Sequence, residues 1–192
     1  MRTAKIVRKT KETDIELELN LDGSGKREIN VGIGFLEHML ELFSAHGNFD
    51  LNLKCKGDIN VDYHHTVEDI GICLGKAITE ALGNKKGIRR YSSISIPMDE
   101  SLSTVSLDLS GRPFLVYNAP VSGKTGEFDT ELMEEFFRAV STYGGITLHM
   151  NNHYGNNNHH ILESLFKAFA RALSSAVEIV SDTIPSSKGV LE

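Results

Sequence analysis

The amino-acid sequence predicts an α/β (α+β) fold with an internal duplication: two similar halves, each a small mixed sheet covered on one face by helices. The first observation is that strand-like alternation and helix-like spacing of apolar residues recur in the same order in both halves. The second is the motif His-His-x-x-Glu, which begins at His64 and again at His159, 95 residues later (159 − 64). The third is Leu-x-Gly, which occurs at Leu21 and, 88 residues on (109 − 21), at Leu109.

The first half begins with a stretch in which apolar and polar residues alternate, the period of a half-buried strand. A turn of Asp, Gly and Ser residues follows it, and the apolar spacing then changes to that of a helix. Alternation returns before the first His-His-x-x-Glu motif, which opens a helix ended by Gly83 and Asn84. The predicted elements are strands over 15–21, 49–53 and 59–61 and helices over 35–43 and 66–82.

The second half repeats this pattern, with Asp129 as the predicted N-cap of its first helix. The segment 184–189 is rich in Pro, Ser and Gly and predicts a loop. We divide the chain into a first half-repeat, 1–92, and a second half-repeat, 93–192, that ends in this tail. The predicted elements are strands over 102–109, 114–117 and 146–150 and helices over 130–142 and 159–180.

Composition and charge exclude several classes of function. A formal charge of −6 argues against a duplex nucleic-acid binder, which needs a stripe of Lys and Arg. The sequence has no run of about 18 apolar residues, so we expect no membrane span. The two cysteines, Cys55 and Cys73, form no CxxC motif, and the N-terminus lacks an apolar signal core. We therefore expect a cytoplasmic protein with reduced thiols.

The two His-His-x-x-Glu motifs predict metal binding. At about 100° per residue, His64 and Glu68 lie on one side of a helix, whereas His65 points elsewhere. The same geometry joins His159 to Glu163 and separates His160, so each motif offers ligands to two different ions. Two motifs of this kind should cross-pair and hold two metals, and a set of imidazoles and carboxylates fits Mn, Fe, Zn, Co or Ni.

Other histidines can complete these sites. His38, in a predicted helix, and His149, on a predicted strand, are candidate further ligands. His46 could instead be a helix-end residue favoured by the helix dipole. His153 lies in a polar, Asn-rich segment. The roles of these last two stay open.

Candidate anion-binding and acid–base residues lie outside the histidine motifs. Arg90, Arg112 and the tail residues Ser186 and Lys188 offer guanidinium, ammonium and hydroxyl groups to a phosphate. Glu12 precedes the first strand and could serve as an acid or base. The sequence lacks the Gly-rich motifs that bind nucleotides and the G-x-S-x-G nucleophile elbow.

Taken together, these motifs resemble those of the imidazoleglycerol-phosphate dehydratase family over essentially the whole chain. Their order and spacing carry the resemblance more than any single motif, although Tyr63 stands where the family commonly has an acid. The matching stretches are Arg8-x-Thr10-x-Glu12-Thr13, 32–40, Gly57-Asp58, 64–69, 97–100, 108–113, His159-His160-x-x-Glu163 with 166–169, and 185–189.

The resemblance implies a lyase of histidine biosynthesis that removes water from imidazole glycerol phosphate to give imidazole acetol phosphate. It also implies two divalent metal ions, Mn²⁺ in this family, at a site shared between subunits, and a homo-oligomer of 24 chains built from trimers. The implied phosphate contacts are Arg90, Arg112, Ser186 and Lys188, and the implied acid–base residues are Glu12 and Lys167. The implied metal ligands are His38, His64, His65, Glu68, His149, His159, His160 and Glu163.

The reaction requires this kind of assistance, because the hydrogen to be removed lies on a carbon with no neighbouring carbonyl group. Ionisation of the imidazole ring to imidazolate would let its electrons expel the hydroxyl, giving a diazafulvene-type intermediate. A positioned carboxylate such as Glu12 can move the carbon proton, a contribution of about 10²–10⁴-fold in rate.

Two other functions fit the residue pattern without the resemblance. A dinuclear metallohydrolase, such as a phosphatase or amidohydrolase, also needs clustered histidines and carboxylates, and would release phosphate or ammonia. A metal-storage or structural-metal oligomer would use the same ligands, with Glu12, Arg90, Arg112 and Lys188 as surface charges.

Overall fold

A computed structural model of the protein describes residues 1–189 and 191. The first half contains four strands and two helices. They are β1 (Thr3–Lys9), β2 (Thr13–Asn20), β3 (Arg27–Asn30), α1 (Gly34–Gly47), β4 (Asp50–Gly57) and α2 (His64–Leu82). The second half repeats this order and adds a small hairpin. Its elements are β5 (Tyr91–Met98), β6 (Ser101–Asp108), β7 (Phe114–Asn118), β8 (Lys124–Thr125), β9 (Phe128–Asp129), α3 (Leu132–Gly144), β10 (Thr147–Tyr154) and α4 (Asn158–Val177).

The two main sheets have the same topology, which confirms the duplicated α/β fold. The strand order is β1-β2-β4-β3 in one sheet and β5-β6-β10-β7 in the other, and each has one parallel pair at its end. The opening hairpins also share their register: Thr3 pairs with Asn20, and Tyr91 pairs with Asp108. Both partners are shifted by 88 residues (91 − 3 and 108 − 20), the offset that the sequence predicted. The division at 92/93 stays a prediction; β5 begins at Tyr91.

The helices lie against one face of each sheet and join the two halves. Helix α2 packs on β1, β2 and β4, and α4 packs on β5, β6 and β10. The halves interlock because α1 packs on α4 and α2 on α3. Gly75 of α2 permits the second contact: a Cβ there would lie 2.8 Å from the Val140 carbonyl oxygen of α3. Phenylalanines fill the space between the helices, for example Phe137 and Phe166, whose ring centroids are 4.8 Å apart.

Three details of the predicted secondary structure were wrong. Residues Ile59 and Val61 form a turn rather than a strand, closed by the Val61 amide donating to the Asp58 carbonyl, and both side chains are exposed. Asp129 belongs to β9 and does not cap α3, which begins at Leu132. The last helix ends at Val177, three residues before the predicted end at 180, because the following backbone is extended.

The two-residue strands β8 and β9 were not predicted, and neither were three longer strands, β1, β3 and β5. These three lie at sheet edges, where one side is not paired and charged or hydroxyl side chains weaken the alternation. The segment 184–189 contains no helix or strand, as expected. Within the part of the chain that the structure describes, no helix is long and apolar enough to cross a membrane.

Candidate metal centre

Three of the predicted ligands come together where α1 meets α4. The Nε2 atoms of His38 and His159 lie 3.3 and 3.1 Å from Oε2 of Glu163. One ligand atom from each residue lies within 4.8 Å of the others, a spacing that a single metal ion can bridge. His38 belongs to the first half and the other two to the second. The packing of α1 on α4 therefore builds this group from both halves.

The Glu163 carboxylate is held in its charged form. Its side chain is buried and its second oxygen, Oε1, lies 2.6 Å from Nζ of Lys167, one helical turn further on. Burial tends to raise the pKa of Glu163, but hydrogen bonds from Lys167 and His38 hold it below the ordinary value. The structure therefore places Lys167, a predicted acid–base residue, against a predicted metal ligand.

The beginning of α4, which carries His159, is fixed by a helix cap and by an aromatic contact. The Asn157 side chain caps the helix by accepting from the backbone amides of His159 and His160. The ring of Phe35, on α1, meets the His159 imidazole edge-on at a centroid distance of 5.3 Å. The cap thus fixes the start of α4, and the Phe35 contact orients the His159 imidazole.

The second histidine of each motif is held by a carboxylate. Nδ1 of His65 lies 2.9 Å from Asp58, and Nδ1 of His160 lies 2.6 Å from Glu100. These hydrogen bonds raise the pKa of both imidazoles, and His160 helps to lower that of Glu100 to about 2. A carboxylate on Nδ1 leaves Nε2 available to a ligand, an arrangement typical of histidines in metal sites. This role of Asp58 and Glu100 was not predicted from the sequence; the one signal for Glu100 is its position 88 residues after Glu12 (100 − 12).

The first motif is more open than the second. Nε2 of His64 lies 3.9 Å from Glu68, and both side chains are 46% exposed. Oε1 of Glu12 lies 3.8 Å from Nε2 of His65, which brings a predicted acid–base residue to this motif. His64, His65 and Glu68 do not belong to the three-residue group that the described chain forms around Glu163.

The remaining histidines lie apart from these contacts. His149 lies on β10, where its side chain is half-buried beside the ring of Phe114, 6.5 Å away between centroids. His153 lies 2.7 Å from the Thr104 hydroxyl near the end of the same strand. His46 lies in the last turn of α1, where burial lowers its pKa.

The predicted phosphate-binding residues lie at two places near the end of β6. The Arg90 guanidinium contacts both carboxylate oxygens of Asp108, at 2.7 and 3.0 Å, and donates to the Pro185 carbonyl at 2.9 Å. The tail then turns: the Lys188 amide donates to the Ser186 hydroxyl at 3.2 Å. Arg112 is exposed in the turn after β6, where its amide donates to the Ser110 hydroxyl.

An apolar recess adjoins the candidate centre. Phe35 and Phe128 pack together at a centroid distance of 5.3 Å, and Tyr63 stacks on Phe128 at 6.4 Å. The recess is bounded on one side by the β8–β9 hairpin. Its wall includes the side chains of Ile33, Phe35, His38, Tyr63, Phe128 and His159. A flat ring of modest size is the kind of group that such a wall accepts.

The fold and the site together define a class: duplicated α/β proteins with a candidate metal centre of imidazole and carboxylate ligands. A family model described as imidazoleglycerol-phosphate dehydratase matches residues 31–173. Proteins of that name from Thermodesulfovibrio yellowstonii and Clostridioides difficile are 58% identical over 191 residues and 60% identical over 192 residues. Both alignments cover 100% of this chain and 100% of the relative.

Solved structures give the same result. The imidazoleglycerol-phosphate dehydratase of Staphylococcus aureus is similar with a TM-score of 0.85 at 42% identity, over 93% of this chain and 99% of that one. The enzyme of Pyrococcus furiosus is similar with a TM-score of 0.86 at 34% identity, over 97% and 100% of the two chains. The chain belongs to the imidazoleglycerol-phosphate dehydratase family, and it is therefore an enzyme of the hydro-lyase class.

Proposed function

We propose that this chain removes water from imidazole glycerol phosphate to give imidazole acetol phosphate, the dehydration step in histidine biosynthesis. The observation that carries the proposal is the group of His38, His159 and Glu163 beside an aromatic recess. A dehydratase acting on an imidazole compound needs ligands for a metal and a place for a flat ring, and here the two adjoin. A cytoplasmic location is part of the proposal and follows from the biosynthetic role.

The donor set fits a divalent ion such as Mn²⁺. The carboxylate oxygen is a donor that Mn²⁺ prefers, the two imidazole nitrogens are donors shared with Fe, Zn and Ni, and the buried Glu163 supplies negative charge. Such ions would supply Lewis-acid chemistry that stabilises the negative charge developing on the substrate. We propose two ions, with His64, His65, Glu68, His149 and His160 as the further ligands.

The protein's own groups have separate tasks in the proposed reaction. The recess beside Phe35 would orient the imidazole ring and exclude water from one side. Glu12 would take the proton from the neighbouring substrate carbon after the hydroxyl has left, because the diazafulvene-type intermediate forms when the ring's electrons expel the hydroxyl and before that proton is removed. Lys167 would hold the Glu163 carboxylate in place through its 2.6 Å contact.

Binding of the phosphate group is assigned to Arg90, Arg112, Ser186 and Lys188. Arg90 supports this role indirectly, because its guanidinium holds the Pro185 carbonyl and so fixes where the tail begins. A fixed tail presents the Ser186 hydroxyl and the Lys188 ammonium group as donors for an anion. The positive charges would then anchor the end of the substrate that does not react.

We also propose a homo-oligomer, specifically a 24-chain assembly of trimers. The open faces of the two sheets differ in charge although their topology is the same. On the first sheet Lys5 forms ion pairs with Glu16 and Glu18, a pattern suited to solvent. On the second sheet the equivalent rows carry hydroxyl groups, for example Ser93 and Ser106, as well as His149. An uncharged face of this kind suits contact with another copy, which would bring His149 to ligands of that copy.

The test is turnover of imidazole glycerol phosphate by metal-stripped protein, before and after addition of Mn²⁺. We expect activity only after metal is added, with loss of water and no release of phosphate or ammonia. Release of phosphate from a phosphate ester, or of ammonia from an amide, would identify a metallohydrolase instead. Metal binding with none of these reactions would leave a metal-storage or structural role and overturn the proposal.

A further inference from the structure

Two glutamates occupy equivalent places in the duplicated fold but have different contacts. Glu12 and Glu100 lie 88 residues apart (100 − 12) in the tight hairpins β1–β2 and β5–β6, whose strands show the same offset. The Glu100 carboxylate accepts from the amides of Asn156 and Asn157 and contacts Nδ1 of His160. The Glu12 carboxylate is 52% exposed and its nearest charged partner, His65, lies 3.8 Å away. Glu100 is thus fixed by its own carboxylate, whereas Glu12 is not.

The hairpin that carries Glu12 is instead fixed by Asp69 of α2, which contacts both of its strands. This aspartate is buried on α2; its Oδ1 lies 2.8 Å from a guanidinium nitrogen of Arg8, and its Oδ2 accepts from the Thr13 hydroxyl at 2.5 Å. Arg8 lies at the end of β1 and Thr13 begins β2, so one carboxylate holds both strands of the hairpin. The turn between them is closed by the Thr10 hydroxyl, which accepts from the Glu12 and Thr13 amides.

The same anchor also fixes the hairpin relative to the histidine. His65 and Asp69 are four residues apart on α2 and therefore lie on the same side of the helix, one turn apart. One turn of α2 thus supplies both the imidazole and the carboxylate that holds the Glu12 hairpin. This short connection therefore links the position of the Glu12 hairpin directly to that of His65.

The second half shows that a charged anchor is not needed to build the hairpin. The equivalent of Asp69, 95 residues on (164 − 69), is Ser164, and the equivalent of Thr13 is Ser101. Their hydroxyl oxygens lie 3.5 Å apart, and Ser164 also contacts Ser103 at 2.7 Å. A neutral pair therefore suffices where the glutamate is fixed by other contacts. A buried carboxylate is costly to desolvate, so its presence only under Glu12 calls for a reason other than the fold.

We propose that Asp69, acting through Thr13 and Arg8, is a positioning residue for Glu12. It holds Glu12 at the distance from His65 that lets the Glu12 carboxylate take the proton of the substrate. The inference rests on the proposed function, since it gives Glu12 its acid–base task. Displacing a reacting group by about 1 Å can cost about 10²-fold in rate. Loss of the anchor should therefore lower kcat while leaving the bound metal and the affinity for substrate in place.

The experiment compares Asp69→Asn in the native chain and in the Glu12→Gln background. If Asp69 acts through Glu12, we expect kcat to fall about 10–100-fold in the first case and less than about 2-fold in the second. An equal fold-loss in both backgrounds would mean that Asp69 supports the fold in general and would overturn the proposal. The assay uses enzyme at high concentration so that the residual rate of Glu12→Gln is measured.

Milder variants test the same contact if Asp69→Asn folds poorly. Thr13→Val removes the hydroxyl that donates a hydrogen bond to Asp69, whereas Thr13→Ser keeps it. We therefore expect kcat to fall in Thr13→Val and to stay near the native value in Thr13→Ser, with KM unchanged in both. The matched control is Ser141→Ala, which removes another buried hydroxyl bond, to the Ile146 carbonyl at 2.7 Å, away from the hairpin. It should lower the melting temperature but not kcat. Equal kcat for Thr13→Val and Thr13→Ser would overturn the proposal.

This test is separate from that of the function itself. If the native protein, loaded with Mn²⁺, does not dehydrate imidazole glycerol phosphate, the proposed function fails before any variant is compared. If the native protein is active, the two Asp69 comparisons and the Thr13 pair decide the positioning role alone. Metal content, measured on every variant by atomic emission, must stay at the native level for a change in kcat to count as support.

Discussion

The contact between Arg90 and Asp108 provides a prediction whose size follows from burial. The Asp108→Asn variant keeps one acceptor oxygen but places an amide nitrogen opposite a guanidinium nitrogen, which removes the negative charge and one of two hydrogen bonds. The same guanidinium holds the Pro185 carbonyl at the start of the tail to which phosphate binding is assigned in the proposed function. The substitution should therefore destabilise the protein and release the tail.

The magnitude depends on how far the pair is removed from water. The side chains of Arg90 and Asp108 are 18% and 28% exposed, so most of the contact is shielded. Breaking a fully buried pair costs about 3–5 kcal/mol, and partial exposure together with the remaining acceptor reduces this to about 2 kcal/mol. For a chain of this size such a loss corresponds to a melting temperature lower by about 4–8 °C.

The assay is urea unfolding at fixed protein concentration, combined with hydrogen exchange of the tail segment 184–189. The control is Glu178→Gln, which removes the neighbouring ion pair between Arg89 and Glu178, whose side chains are 46% and 57% exposed. That pair should contribute less than about 1 kcal/mol. The reasoning is refuted if the two variants lose equal stability, or if tail exchange is unchanged in Asp108→Asn.

Further predictions concern the metal, the phosphate and acid stability. Glu163→Ala and His64→Ala should lower metal content and assembly size together, and a metal-replete variant that sediments like the native protein would contradict this. Arg112→Ala should raise KM with metal content unchanged; an unaltered KM removes Arg112 from the phosphate site. Hydrogen bonds from His160 and two backbone amides lower the pKa of Glu100 from 4.5 to about 2, so the charged form is favoured by folding. That stabilisation is complete above pH 4.5 and is lost as the pH falls through 2. In acid unfolding without metal, Glu100→Gln should therefore lack the loss of stability that the native protein shows in this range. Superimposable unfolding curves for the two proteins would exclude this contribution of Glu100.

The parts of the fold that could be predicted are those that local periodicity and internal repetition indicate. The amphipathic helices and the central strands β2, β4, β6 and β10 follow from their apolar spacing, and the offsets of 88 and 95 residues indicate the duplication. The edge strands β1, β3 and β5 could not be predicted, because their charged or hydroxyl side chains weaken the alternation, whereas the edge strand β7 is largely apolar and was predicted. The alternation at Ile59 and Val61 was misleading, because two exposed apolar residues in a turn have the same spacing as a strand.

Part of the site was also present in the sequence. The helical spacing of His159 and Glu163 brings their ligand atoms to 3.1 Å, since residues four apart share one side of a helix. The sequence pattern does not reveal Asp58 as the partner of His65 or Glu100 as the partner of His160. These contacts join a loop to a helix, and loop positions have no periodicity from which a partner can be inferred.

The sequence by itself therefore determined the types of candidate ligand, their spacing within each helix, the duplication and the resemblance to one family. Only the tertiary structure decided that His38 joins His159 and Glu163, that Lys167 holds Glu163, and that Asp69 lies beneath the hairpin of Glu12. Each of these contacts connects elements far apart in the chain, through the packing of α1 on α4 or of α2 on the first sheet. The physical reason is that local spacing fixes where a side chain points on its own helix or strand, whereas its partner depends on how buried apolar faces pack together.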